Sequence, residues 1–390
     1  MSAIKIRSNQ SKFPAKATRI PHLRNLLWYN SDTCIPIRST MKTNSNSELN
    51  IHVALASDNN YFEGLLMTAW SIAKHCSKPR NLVIHVLDGG IVPENIDFLR
   101  QALSPFGCQL SFISLGIAQR RIASFKPYHG SIMPYARLLL PDLLPSVNQI
   151  VYSDVDILWI ADIALLWENL DEKAIIHYTP HHPSTLNKLN QKEFNWFIQH
   201  GFKPDQTRYF CSGVIVLNLF KFREDNLNNK MLSIIKSDNG DVPQDDQTVL
   251  NAFMFDRSDV RELDYRWQIG TGNTMSVPDN LKFVLHFAAD TPWKTIHANH
   301  HMLTDAILLW HKFHAKVRDI TVWQSLRNCN SSLDIVAGRL LFLLSSSSRA
   351  IRFLIMFYMI VSGKKNNIPC INAFMVRSQN LRKVLRLCIV

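Results

Sequence analysis

An α/β fold, with strand–helix–strand units around a mostly parallel sheet, is what the sequence predicts. Three observations carry this reading. The 390 residues are 46 % hydrophobic and 19 % charged, enough to bury a sizeable core in one large domain or two smaller ones. From residue 51 onward, short apolar runs alternate with segments of helical periodicity. With 13 Gly, 17 Pro and no self-similar period, the chain is neither fibrous, nor low-complexity, nor a solenoid.

The elements follow in order. Ile51–Ala56 (IHVALA) is a short apolar run and reads as a buried strand. Tyr61–His75 carries Leu65, Leu66, Ala69, Ile72 and Ala73 on one helical side. Leu82–Leu87 (LVIHVL) is a second strand, stopped by Asp88-Gly89-Gly90. Pro93–Leu103 is a helix with Pro in its first turn, and Gln109–Leu115 a third strand. Tyr135–Leu144 reads as helical, and Gln149–Ser153 (QIVYS) as a fourth strand. Tyr209–Leu219 is a long apolar strand, Pro243–Asn251 opens a helix, and His286 ends a further apolar strand. Ligands of such sheets bind beyond the carboxyl ends of the strands.

The net charge of +12 is unevenly placed. Residues 1–48 carry a net +6, residues 315–390 a net +10, and the middle a net −4. A slightly acidic core does not suit an embrace of nucleic acid, whereas basic ends suit an anionic surface, a phospholipid headgroup layer or nucleic acid. Seven cysteines, odd in number and without a CxxC pair, argue against a disulfide scaffold or a zinc site. No apolar run follows the basic N-terminal residues, so no secretory signal is expected; Met41 offers an alternative start. Ile351–Val361 is apolar but too short to span a bilayer.

No GxGxxG or GxxxxGK[ST] follows the first strand, so a dinucleotide enzyme or P-loop NTPase is unsupported. The fourth strand is followed by Asp154 and Asp156. In extended chain, residues two apart point the same way, so both carboxylates can face one hard divalent ion such as Mn²⁺ or Mg²⁺. A solvated turn before a helix capped by Asp162 explains the pair equally well. Gly213 inside an apolar strand marks either a close backbone approach or a simple bulge. Asp245 and Asp246 are ordinary helix-cap residues or site carboxylates. His286 is a core histidine or a ligand.

Together, LASDNNY, HVLDGGI, YARLLLP, VYSDVDIL, YFCSGVIVLNL, QDDQTVLN and HFAADTPWK resemble, in that order, the retaining glycosyltransferases of family 8. That family includes glycogenins and bacterial lipopolysaccharide galactosyl- and glucosyltransferases. The likeness runs from about residue 51 to about 315. It implies a GT-A fold, a Rossmann-like mixed sheet flanked by helices, with a UDP-hexose donor and a divalent metal, usually Mn²⁺. By the resemblance, Ala56, Asp58, Asn60 and Tyr61 would hold the nucleotide, with Tyr61 stacked on uracil. Arg137 and Ser212 would contact the donor. Asp154, which also belongs to the donor site, would ligate the metal with Asp156 and His286. Asp246 would hold sugar hydroxyls, and Gln247 would lie near the anomeric carbon. The mechanism so implied is front-face transfer with retention.

The chain departs from the family at Cys211, where many relatives have Asn, and at Ala289 and Thr291, which stand for Gly and Lys. Lys294 is a substitute for the missing cation. These changes keep open a non-catalytic UDP-sugar-binding protein of the same fold. The resulting domain expectation is a basic lead-in over 1–48, a GT-A domain over 49–315 and a basic amphipathic region over 316–390. The last mixes Arg and Lys with Leu and Val, as interfacial helices do, although a small helical subdomain packed on the core has the same text. The expected protein is a hexosyltransferase acting on a lipopolysaccharide-type or other surface glycan, peripheral on the cytoplasmic face of the cell membrane. Truncation near residue 320 is expected to leave donor binding intact.

Overall fold

The computed structural model describes residues 50–127, 130–180, 190–205, 207–270, 283–288, 291–293 and 305–327. The lead-in 1–48, Ala289, Lys294 and the C-terminal residues from 328 lie outside this set. The strands are β1 (Ile51–Ser57), β2 (Leu82–Asp88), β3 (Gln109–Ser114), β4 (Gln149–Ser153), β5 (Ile157–Trp159), β6 (Ile176–Pro180), β7 (Phe210–Asn218), β8 (Val260–Glu262), β9 (Ile269–Gly270) and β10 (Val284–His286). The helices are α1 (Phe62–His75), α2 (Pro93–Leu103), α3 (Leu140–Leu143), α4 (Ile163–Glu168), α5 (Gln191–Gln199), α6 (Leu219–Glu224), α7 (Leu227–Ser237), α8 (Asp245–Met254), α9 (Asp305–Arg318) and α10 (Val322–Arg327).

Among the described residues, seven strands form one sheet in the order β3-β2-β1-β4-β7-β6-β8. The sheet is mixed: β1, β2, β3 and β4 run parallel, and β7 is antiparallel to both neighbours, β4 and β6. Both faces are covered, which is why the central strands read as continuous apolar runs. On one face Ala54, Ile150, Tyr152, Ile215 and Leu217 pack with α7, α8 and the segment around Leu138. On the other, Val53, Leu55, Ile84, Val151 and Val216 pack with α1 and with a second, small sheet in the order β5-β10-β9.

Two local expectations are corrected. Tyr135–Leu144 is not one α-helix; a 3₁₀ segment spans Met133–Leu139 and only Leu140–Leu143 is α-helical. Pro141 supplies the reason, since it has no N–H to close an α-helical bond to the Arg137 carbonyl. The boundary expected between residues 315 and 316 falls inside α9. The hydroxyl of Ser325, on α10, bonds Nδ1 of His311 and Nδ1 of His314 at 2.7 and 2.8 Å. Nε2 of His314 then meets Glu63 of α1 at 2.9 Å, so these helices belong to the folded core.

Candidate active site

The site lies where β1 and β4 end and β7 begins. Because β7 runs against β4, its first residues stand at the carboxyl end of the parallel strands. Ser153 pairs with Val214, and the Asp154 N–H donates to the Gly213 carbonyl at 2.8 Å. Asp154–Asp156 is a turn, not the extended chain expected, and it leads straight into β5. Thr68, buried in α1, holds that turn with its hydroxyl 2.9 and 2.7 Å from the carbonyls of Val155 and Ile157. His286 arrives from β10, paired antiparallel to Ile157, while the next N–H, of Phe287, donates to the Asp156 carbonyl at 2.9 Å.

The turn, the small sheet and the start of β7 thus bring Asp154, Asp156 and His286 together, with one ligand atom from each within 4.8 Å of the others. His286 Nε2 lies 3.3 Å from Asp156 Oδ1, an ion pair when the imidazole is charged. Two carboxylates and an imidazole converging on one point are a donor set that fits a hard or borderline divalent cation. Burial opposes the charged imidazole, but the Asp156 carboxylate and Cys211 together outweigh it and hold the His286 pKa well above its ordinary value. Asp156 is correspondingly lowered: burial pushes it up, and His286 more than offsets that. Burial raises Asp154, against the pull of Arg137.

Gly213 is a close approach, and it also lies in an irregularity of the β6–β7 pairing, whose register passes from Tyr178 opposite Ile215 to Thr179 opposite Cys211. A Cβ there would stand 2.8 Å from His286 Cε1 and 3.2 Å from Asp154 Oδ2. Cys211, two residues earlier, is one of the groups that favour the charged His286 imidazole.

Arg137 links this centre to the acids of α8. It is buried, with its guanidinium 4.1 Å over the Tyr152 ring. It donates to Asp154 Oδ1 at 2.7 Å, to the Ser212 carbonyl at 2.6 Å and to the Pro134 carbonyl at 3.0 Å, and pairs with Asp246 Oδ2 at 2.9 Å. The cap explanation of the α8 acids fails. The N-cap is Gln244, with no side-chain cap bond, and Asp245 has φ +50°. Asp245 instead accepts from the Tyr135 hydroxyl at 2.6 Å. Burial, with Asp154 and Asp245 adding to it, pushes Asp246 up to about 7 despite Arg137. Gln247 accepts from the Ser212 N–H at 3.1 Å.

The nucleotide residues expected from the sequence sit at the end of β1. Ala56 is buried. Asp58 accepts from the Asn60 N–H at 2.9 Å and from the Ser131 hydroxyl at 2.7 Å. Tyr61 meets Trp293 edge-on, with centroids 6.2 Å apart.

Some site residues escaped sequence reasoning. Gln268 takes the Val214 N–H at 3.0 Å and packs its amide nitrogen 3.3 Å from His286 Nδ1, against the imidazole edge. No motif announces it. Glu193 belongs to an Asn190-x-x-Glu193 capping box, a pattern readable as a helix start but not as part of a site.

A two-faced mixed sheet with an acid–acid–histidine centre at its strand ends defines a GT-A-like architecture. Comparison with known proteins agrees. The model of glycosyl transferase family 8 matches residues 52–297, more than half the chain, and the chain belongs to that family. General stress protein A of Bacillus subtilis is 26 % identical over 225 residues, covering 57 % of this chain and 74 % of that protein. "Probable galacturonosyltransferase-like 9" of Arabidopsis thaliana is 26 % identical over 233 residues, covering 57 % of this chain and 60 % of that protein. Among solved structures, the galactosyltransferase LgtC in complex with donor and acceptor sugar analogs superposes with a TM-score of 0.55 at 24 % identity, covering 70 % of this chain and 96 % of that one. At that identity the match speaks for the fold.

Proposed function

We propose that the chain is a metal-dependent, retaining hexosyltransferase that moves galactose or glucose from a UDP-sugar to a hydroxyl of a surface glycan. The observation that carries this reading is the convergence of Asp154, Asp156 and His286 at the strand ends, tied through Arg137 to Asp246. A divalent cation held by these three side chains, Mn²⁺ or Mg²⁺, supplies Lewis-acid stabilisation of the diphosphate leaving group.

The chain's own groups do the rest. Asp58, Asn60 and Tyr61, with Ala56 behind them, hold the uridine. Arg137 fixes the carboxylates of Asp154 and Asp246 and acts on the donor beside the Ser212 backbone. Asp246 binds sugar hydroxyls, and the Gln247 carboxamide stabilises positive charge developing at the anomeric carbon. The acceptor hydroxyl attacks from the face that the diphosphate leaves, with a phosphate oxygen taking its proton. The basic C-terminal residues beyond 327, outside the described residues, are proposed to rest on an anionic membrane at its cytoplasmic face. No helix among the described residues is long and apolar enough to cross a membrane.

The test is UDP release from a panel of UDP-sugars, with Mn²⁺ and with EDTA. Slow release from one hexose donor, abolished by EDTA and reduced at least about 10²-fold in Asp154→Asn and Asp156→Asn, is expected. Full activity in either variant contradicts the site. UDP binding without release from any donor, in the presence of acceptor glycans, would instead mark a non-catalytic binding protein.

A further inference from the structure

Gln247 is held at both ends of its carboxamide. Its Oε1 accepts from the Ser212 N–H at 3.1 Å, and its Nε2 donates to the Tyr209 hydroxyl oxygen at 2.8 Å. The Tyr209 hydroxyl in turn donates to Glu193 Oε1. Glu193 is only 3 % exposed and Tyr209 6 %. Every hydrogen-bond partner of that buried carboxylate among the described residues is a donor. Thr248 Oγ1 reaches Oε1 at 3.3 Å, and Oε2 takes the Asn190 N–H and side-chain amide at 3.3 and 2.7 Å.

The direction of this chain of bonds follows from its two ends. An ionised carboxylate only accepts, so the Tyr209 proton is committed to Glu193. The phenol oxygen then has lone pairs alone to offer Gln247, and only an N–H can meet them. At the other end a backbone N–H requires an oxygen. Neither contact permits the carboxamide to flip. One lone pair on Oε1 and one N–H on Nε2 remain for a ligand, always in the same places.

We propose that Tyr209 and Glu193 are positioning residues for Gln247, which with the Ser212 amide clamp its carboxamide so that one Oε1 lone pair faces the donor sugar. The inference rests on the function proposed above, in which Gln247 acts at the anomeric carbon.

Donor hydrolysis and transfer kinetics on Tyr209→Phe test it. The variant loses the acceptor for Gln247 Nε2 while keeping the ring. A fall in kcat on the order of 10²-fold, at unchanged donor KM and unchanged UDP affinity, is expected, because freeing a group that acts only in the transition state misplaces it without touching ground-state binding. A role in folding alone would lower thermal stability and leave kcat of the folded enzyme intact, and that result overturns the proposal. Should Tyr209→Phe fail to fold, Glu193→Gln, which keeps the volume but cannot accept at both positions, takes its place with the same expectation. If the wild-type protein turns over no donor, the function reading fails, and the clamp is judged by the Gln247 side-chain amide protons in NMR. Slow solvent exchange in the wild type, lost in the variant, supports it; identical exchange in both overturns it.

Discussion

Gly213 shows how much of the site rests on a missing side chain. Its backbone lies against both His286 and Asp154, and any Cβ must push one of them. Gly213→Ala is expected to weaken Mn²⁺ binding about 10- to 100-fold, the range in which disturbed support of metal ligands is felt. Calorimetric titration of Mn²⁺ checks this, and unchanged affinity contradicts it. The glycine, the Asp-x-Asp pair and His286 were legible because a local pattern marks each: a gap in an apolar strand, or a polar residue at a strand end. Gln268 and Glu193 were not. Gln268 acts on Val214 and His286 across 54 and 18 positions of sequence, and only the packing of separate strands makes those contacts. A second residue-scale prediction concerns acid stability. His177 accepts the Asp171 N–H at Nε2, 2.9 Å away, and burial lowers its pKa to about 4, against the pull of Asp171. The folded ring is therefore neutral where the unfolded one is protonated. Its contribution to stability is complete above the unfolded pKa and is lost as pH falls toward 4, at about 1.4 kcal/mol per pH unit. His177→Gln, which can still accept the N–H, should flatten the dependence of the urea midpoint on pH between 6.5 and 4; an unchanged slope would refute the assignment.

At the scale of elements, strand positions were readable from apolar runs, but strand direction was not. Nothing in the text of β7 says that it opposes β4, yet that reversal is what carries Cys211, Ser212 and Gly213 to the catalytic end. Helix α10 was hidden for a different reason: it falls in the region after residue 315, whose basic and apolar residues suit a membrane interface as well as a packed subdomain. Structure decides for packing as far as residue 327. Trp310 lies 5.8 Å from Trp293, which meets Tyr61, and Glu63 in the first turn of α1 is bound by His314 and Arg318. The turn expected to hold the nucleotide is therefore braced by α9. A cut near residue 320 removes Ser325 and, contrary to the sequence expectation, should weaken both folding and UDP binding. Ser325→Ala leaves two buried histidine nitrogens without their shared hydroxyl and should cost about 1–3 kcal/mol, measurable by urea unfolding. An unchanged midpoint would show that the brace is dispensable.

For the whole molecule, the two-sided sheet explains why so much was legible. A sheet covered on both faces must show near-continuous apolar strands, and polar residues can gather only at its ends. The residues after β1 and β4 were singled out on that ground, and Arg137, Ser212, Asp246 and Gln247 through the family resemblance; the folded chain brings Asp154, Asp156, His286, Arg137, Asp246, Ser212 and Gln247 to one end. The central claim is that this gathering is a metal-dependent nucleotide site. Titration of UDP into the intact protein tests it most directly, with Mn²⁺ and with EDTA, for the wild type and for Asp156→Asn. The account predicts binding that needs both the metal and Asp156. Equal UDP affinity in Mn²⁺ and in EDTA would contradict it.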